Sequence, residues 1–350
     1  MNPALAALLA ALLFGLSTPF AKRLLGEVEP LLLAGVLYLG SGLGLWAWRL
    51  ASRRLSTGES ERRPGFTRDE LPWLIGAIAV GGVLAPVLLL YGLRATPAAT
   101  ASLLLNLEGV FTALLAAAFF GEHLGRRIAL GLACIVAGGV LLSYTPGTPF
   151  RISPGALGVA GACLAWALDN NLTRRIATAD AVRLAAIKGL AAGTVNTVLA
   201  LIVGAALPAP PAVLGGLVVG ALGYGASLAL FVLALRGLGA ARTSGYFSTA
   251  PFVGAAVAVA WLDEPAGVRF LLAGSFMALG VWLHLSERHA HLHHHEPLVH
   301  DHAHRHDDGH HEHAHDFPWD GRTPHAHPHR HEPITHSHPH YPDAHHRHRH

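Results

Sequence analysis

Three stretches of this 350-residue chain carry side chains whose types and spacing could do chemistry. The first is SLLLNLEGVFTALL (102–115), where Glu108 stands alone with about ten apolar or small residues on either side. A charge at a bilayer centre costs roughly 2.5–3.5 kcal/mol on insertion scales, so such a carboxylate needs a partner, a water-filled cavity or a proton. It reads as a cation or proton site, or as a protonated or helix-paired group with a structural role. Asn106, two residues away, points elsewhere on a helix. The second stretch is GACLAWALDNNLTRR (161–175). Asp169, Asn170 and Asn171 cover nearly a full helical turn, so some of them face a cavity or the helix unwinds there; otherwise they cap a span that ends early. Asx side chains and an opened backbone supply hard oxygen ligands. Trp166, one turn earlier, stacks on a solute or fills space.

The third stretch is the C-terminal tail, which holds 24 of the chain's 26 histidines after residue 288. The candidate ligands are His291, His293, His294, His295, His300, His302, His304, His306, His310, His311, His313 and His315, then His336, His338, His340, His345, His346, His348 and His350. Runs such as HAHRH and HSHPH put imidazoles on one side of an extended chain. Imidazole suits Zn²⁺, Ni²⁺, Co²⁺ and Cu²⁺, and the interspersed Asp and Glu add oxygen ligands. The pattern specifies many overlapping sites rather than one. A pH sensor and a solvated spacer are the other readings. With few branched aliphatic residues, the tail has too little apolar surface to offset chain entropy, so it is expected to be disordered. As a coil it would span roughly 45 Å.

The elements that position the first two stretches are apolar runs long enough to cross the ~30 Å hydrocarbon core as helices. Ten are read, near 4–25, 30–50, 72–92, 97–119, 126–145, 154–173, 182–206, 212–235, 240–261 and 268–286. Only 13% of the chain is charged, and those residues sit mostly in the breaks and the tail, which excludes a soluble α/β protein. MNPALAALLAALLFG lacks a basic leader region and reads as span one. Arg49, Arg53, Arg54, Arg126, Arg127, Arg174, Arg175, Arg183 and their neighbours gather on one side, so the positive-inside rule places both termini, and the tail, in the cytoplasm. Cys134 and Cys163 lack CxxC spacing and read as packed thiols.

The body is also duplicated. Displaced by 142 residues, LRATPAATAS at Leu93 falls on LRGLGAARTS at Leu235, and Glu122 on Glu264. Displaced by 152, Ser17-Thr18-Pro19 falls on Asp169-Asn170-Asn171 and Lys22-Arg23 on Arg174-Arg175. The ten extra residues of repeat one fit the loop at 53–70. The organisation is therefore two five-span repeats, 1–146 and 152–288, and a tail, 289–350. An odd number of spans inverts the second copy, the arrangement of secondary transporters with a site near the midplane.

Two five-helix repeats, FGLSTPFAKRL in span one, a small-residue span four ending in FFGEHLGRR and a glycine-rich fifth span resemble the EamA-type proteins of the drug/metabolite transporter superfamily. The resemblance covers the body and not the tail. It implies a bacterial inner-membrane transporter or exporter of small solutes with a cavity between the repeats. Where members of that family often carry a proline in span four, this chain has Gly109 preceded by Glu108.

The expected cavity residues are Ser17, Thr18, Lys22, Asn106, Glu108, Trp166, Asp169, Asn170, Asn171, Asn196, Tyr224 and Tyr246. Lys22 and Lys188, the two lysines of the chain, are each open to a snorkelling role, Lys188 the more so because it follows a loop. Pro86 and Pro251 are expected to kink spans three and nine. Glu122 and Glu264 read as helix-end electrostatics. No nucleophile elbow, HExxH, Walker loop or Rossmann glycine pattern appears, so the chain is read as a non-enzyme without a required cofactor. Its partners are the lipid bilayer and a small-molecule or metal-ion substrate, not nucleic acid. The leading expectation is a secondary transporter of a divalent transition metal, with the tail gathering or sensing it. The alternatives are an amino-acid or metabolite exporter with a regulatory tail, and a membrane-anchored metal store or sensor.

Overall fold

The computed structural model describes residues 2–55, 67–120, 125–144, 152–173, 176, 181–286, 289–295, 298–304, 325–331 and 334–340. It divides into two units, Met1–Ser286 and Glu287–His350.

The body is helical. Its elements are α1 (Pro3–Leu24), α2 (Pro30–Leu55), α3 (Leu71–Ala77), α4 (Ala85–Arg94), α5 (Ala98–Leu104), α6 (Leu107–Phe120), α7 (Arg126–Ser143), α8 (Pro154–Thr173), α9 (Ala181–Ile202), α10 (Pro210–Val219), α11 (Ser227–Phe247), α12 (Ala250–Trp261) and α13 (Val268–Leu285). One π-helical segment, Ile78–Leu84, joins α3 to α4, and another, Gly220–Ala226, joins α10 to α11. Eight helices among the described residues are long and apolar enough to cross a membrane. Two more crossings complete ten. Helix α8, 20 residues long, is span six. Span nine begins inside α11: the rings of Phe231 and Phe247 lie 4.9 Å apart, whereas sixteen residues of straight helix would separate them by about 24 Å. The chain therefore reverses between them and continues into α12.

The surface and the interior divide as lipid solvent requires. Large apolar side chains such as Leu5, Ile75, Phe119, Leu130, Ile202, Leu271 and Trp282 are exposed, while alanines and glycines dominate many helix contacts. Small residues let backbones approach where no hydrophobic force drives helices together in lipid. A β-carbon on Gly189 of α9 would lie 3.0 Å from the Cα of Gly42 on α2. One on Gly131 of α7 would lie 2.8 Å from the carbonyl oxygen of Gly280 on α13.

The packing carries the two-fold relation of an inverted repeat. Span two packs on span seven and span five on span ten. Span one packs on spans eight and nine; its counterpart, span six, packs on spans three and four. The irregularities repeat as well. The π-segments at Ile78 and Gly220 start 142 residues apart. Span four breaks at Leu105–Asn106, between α5 and α6, and span nine breaks 143 residues later at Ser248–Thr249, between α11 and α12. The two prolines expected to kink spans three and nine sit in different settings. Pro251 occupies the first turn of α12, where a missing N–H costs little, whereas Pro86 lies inside the continuous helical stretch Leu71–Arg94, directly after its π-segment, where the missing N–H frees a carbonyl four or five residues back.

Four short stretches of the tail run extended: β1 (His289–His295), β2 (Leu298–His304), β3 (His325–His331) and β4 (Ile334–His340). β1 pairs antiparallel with β4, and β2 with β3. The period-two sequence is what a strand needs, and the register sets His291 opposite His338, His293 opposite His336 and His302 opposite His327. His294, His295, His300, His304 and His340 also lie on these strands. His306, His310, His311, His313, His315, His345, His346, His348 and His350 lie outside the described residues, as do Glu122, Arg174 and Arg175.

Candidate functional site

The breaks in spans three and four organise the interior. At Asn106 the chain leaves α5 in a tight turn: its N–H donates to the Leu103 carbonyl at 3.1 Å, and its side-chain amide donates there too, at 2.9 Å. Helix α6 restarts at Leu107, which puts Glu108 in a helical first turn halfway along span four. Backbone N–H groups at a helix start favour a carboxylate. Glu108 accepts a hydrogen bond from Asn170 Nδ2 of span six at 2.9 Å, and the same amide reaches Thr112 Oγ1 at 3.4 Å. Beside Glu108, a β-carbon on Gly109 would meet no atom within 4 Å, so the helix face that Gly109 presents is open.

Helix α8 does not unwind at Asp169-Asn170-Asn171; it runs on to Thr173. The three polar residues are shared among different neighbours instead. Asn170 takes Glu108. Asn171 Nδ2 donates to the Ala167 carbonyl at 2.8 Å, one turn back. Asp169 turns to span seven, where Lys188 Nζ donates to both carboxylate oxygens at 2.5 and 2.7 Å. Thr173 Oγ1 donates to Asp169 Oδ1 at 2.9 Å. Lys188 therefore does not snorkel. It lies about 10 Å along α9 at 1.5 Å per residue, within reach of a buried anion one helix away.

The π-segment of span three forms the next wall. Its widened turn leaves carbonyls to side-chain donors. Gly81 O accepts from Tyr38 OH and from Trp166 Nε1, each at 3.0 Å, and Trp166 Nε1 also donates to Tyr38 OH at 3.2 Å. Gly82 O accepts from Asn196 Nδ2 at 3.3 Å, while Asn196 Oδ1 is buried with no donor among the described residues. The Tyr38 ring stands 6.0 Å from that of Tyr224, which packs edge-on against Phe14 at 5.8 Å.

The structure thus brings together Glu108, Trp166, Asp169, Asn170, Asn196 and, through Tyr38, Tyr224. Ser17 lies across the two-fold relation, its hydroxyl bonded to the Phe14 carbonyl at 2.6 Å. Thr18 lines a crevice with Ser102, Leu105 and Pro251, where the broken spans meet span one. Asn106 and Asn171 serve the backbone. Tyr246 remains on the last turn of α11, its side chain 37% exposed. Lys22 is not at the cluster. Its ammonium reaches the carbonyls of Leu93 at 2.6 Å and Thr96 at 2.8 Å, at the end of α4. Nearby, both Glu264 oxygens accept from the N–H groups of Ala98 and Ala99 at 2.7 Å, which caps α5. Asp263, in the left-handed region at φ 53°, turns the chain that delivers Glu264.

Sequence reasoning missed Lys188, Tyr38, Thr112 and the glycine carbonyls. Lys188 had a usable signal, because it stands nearly two turns inside an apolar helix. The carbonyls had a partial one: Pro86, four residues after Gly82, has no N–H to return to that turn, though the π-turn itself is invisible until the backbone is laid down.

Comparison with known proteins agrees with this architecture. One curated relative is an "Uncharacterized transporter" of Methanothermobacter thermautotrophicus, 30% identical over 291 residues, covering 78% of this chain and 83% of the relative. A solved crystal structure shares the fold at a TM-score of 0.58 and 21% identity, over 81% of this chain and 95% of its own. The model of the EamA-like transporter family matches twice, at residues 1–144 and 153–286. With both five-span halves matched, this chain belongs to the EamA-like transporter family.

Proposed function

We propose that this chain moves a small, positively charged solute through the space between its two repeats, with Glu108 as the group that takes up a proton or the solute. The observation that carries this reading is the setting of Glu108: a half-buried carboxylate halfway along a span, at the start of a half-helix, held by Asn170. The surroundings are rich in acceptors: two carboxylates, the carbonyls of Gly81 and Gly82, and Asn196 Oδ1. That chemistry fits a cation. With the histidine tail, it makes a divalent transition metal the first substrate to test. The setting is a bacterial inner membrane with both termini in the cytoplasm, where the tail gathers or senses Zn²⁺, Ni²⁺, Co²⁺ or Cu²⁺ at the mouth.

A second reading is a metabolite or amino-acid exporter with the tail as regulator. It is favoured by one observation: among the described residues, no three His, Cys, Asp or Glu side chains converge as a metal would require. Uptake by proteoliposomes of full-length protein, with a panel of the four metals and the amino acids, separates the two. Metal entry that depends on Glu108 supports the first. Amino-acid movement with no metal entry supports the second. Movement of neither refutes both.

A further inference from the structure

We infer that Lys188 is a tethered stand-in for the transported cation: with the site empty its ammonium occupies Asp169, and a solute bearing a positive group displaces it. The inference rests on the transport reading above and assigns the group that selects the solute's charge.

The first argument comes from the duplication. By the displacements that align the repeats, Asp169 corresponds to Ser17, Lys188 to Val36 and Gly81 to Gly223. The backbone relation is kept in both copies. A β-carbon on Gly81 would meet the Asp169 side chain, and one on Gly223 would lie 2.6 Å from Ser17 Cβ. The same helix crossing thus forms in the other copy with a serine in place of Asp169, and the position matching Lys188 holds an apolar valine. The fold does not need an ion pair there, so the pair in this copy answers to something other than folding.

The second argument is cost. A buried ion pair gains little over an apolar pair of the same shape, because desolvation cancels most of the attraction. An ammonium and a carboxylate placed in a membrane interior are therefore poor scaffolding. The pair is also not sealed: 16% of the Lys188 side chain and 10% of that of Asp169 remain accessible. It lies against a π-segment, a part of a helix whose hydrogen bonding already departs from the α pattern.

The third argument sets the sign. If the solute were an anion, Lys188 would be its ligand and Asp169 would compete with it. The donors around the pair are already engaged: Thr173 Oγ1 on Asp169, Tyr38 OH and Trp166 Nε1 on the Gly81 carbonyl, and Asn170 Nδ2 on Glu108. The Glu108 carboxylate, the Gly82 carbonyl with one donor and Asn196 Oδ1, without a donor among the described residues, keep acceptor capacity. A cation released from water at Asp169 meets oxygen on several sides; an anion meets repulsion. The ligand class is a small cation, either an alkylammonium head like that of lysine or a metal ion.

The test uses full-length protein in liposomes and two probes, radiolabelled ethylammonium and Zn²⁺ read by an entrapped dye. Each probe is measured in net uptake into empty vesicles and in exchange with the same probe preloaded. Exchange never requires the empty transporter to reorient; net uptake does. In Lys188→Gln the empty state carries an unpaired buried Asp169, so net uptake is expected to fall by at least about ten-fold while exchange stays near wild type. Lys188→Arg keeps both modes and controls for folding. Asp169→Asn loses both. Restored net uptake in the Asp169→Asn/Lys188→Gln double variant would show that the pair is structural and overturn the inference. Loss of exchange in Lys188→Gln with retention in Asp169→Asn would make the ligand an anion and overturn it as well. If neither probe enters wild-type vesicles but an uncharged or anionic solute does, in a Glu108-dependent way, this inference falls while a transport role for Glu108 stands.

Discussion

The carboxylate of Asp169 fills the space that a side chain on Gly81 would need. This contact joins span six to the π-segment of span three, and it sets the direction in which Asp169 meets Lys188. Gly81→Ala is therefore expected to push Asp169 off its partner. Overpacking of this kind costs about 1–3 kcal/mol. Gly76→Ala, on the same span, meets only Leu172 Cδ1 at an ordinary 3.5 Å and serves as control. Thermal unfolding and transport of the two purified variants check this; equal behaviour would remove the contact from the site.

Glu108→Gln is expected to insert and fold yet to abolish or uncouple transport. Gln keeps an acceptor for Asn170 Nδ2 but cannot exchange a proton or hold a cation's full charge. Concentrative uptake driven by a pH gradient is the measurement. Wild-type accumulation at every pH would rule out the role.

Asp169→Asn should impair transport more than Asn196→Ala. The first strips the counter-charge from Lys188 in the membrane interior, while the second removes one hydrogen bond to Gly82 O. Initial rates normalised to inserted protein decide it, and equal tolerance of both would move the site away from span six.

Lys22 and Glu264 tie the connection between spans three and four from both sides, the cation on the carbonyl end of α4 and the anion on the N–H end of α5. Each sign matches the helix end it meets. Lys22→Met leaves carbonyls without their donor, and Glu264→Gln halves a charged cap. A loss of about 1 kcal/mol or more is expected for each in thermal unfolding of the purified protein. Unchanged stability in both would show that the tie is incidental.

Deletion of residues 289–350 should leave the body folded, because Met1–Ser286 is a compact unit by itself. Metal bound per molecule is expected to fall from several ions to one or none. Binding by the intact tail should fade as pH drops from about 7 to 5, because protons compete for imidazole nitrogen. Equilibrium dialysis of intact and truncated protein measures both, and equal stoichiometry would refute a metal role for the tail.

Much of this protein was legible before any helix was placed. Apolar run length marked the spans, because in lipid every backbone group must be satisfied within its own helix, a local condition that local composition reveals. The duplication followed from residue identities such as Glu122 and Glu264, and with five spans per copy it implied inversion. Glu108 and Asp169 stood out because a charge inside an apolar run is costly wherever it ends up. What those charges meet was decided by the tertiary structure. Lys188 looked like a residue reaching for the membrane surface until α9 crossed α2 and faced the π-segment, which turned it onto Asp169. For Asp169-Asn170-Asn171 the sequence left a cavity-facing cluster, an unwound turn and an early cap open, and α8 stays intact while the breaks fall in spans three, four, eight and nine. Hydropathy is a property of each segment taken alone. The partner of a buried polar group depends on which helix faces cross and how closely, and in this fold glycines such as Gly42, Gly81 and Gly189 set that closeness.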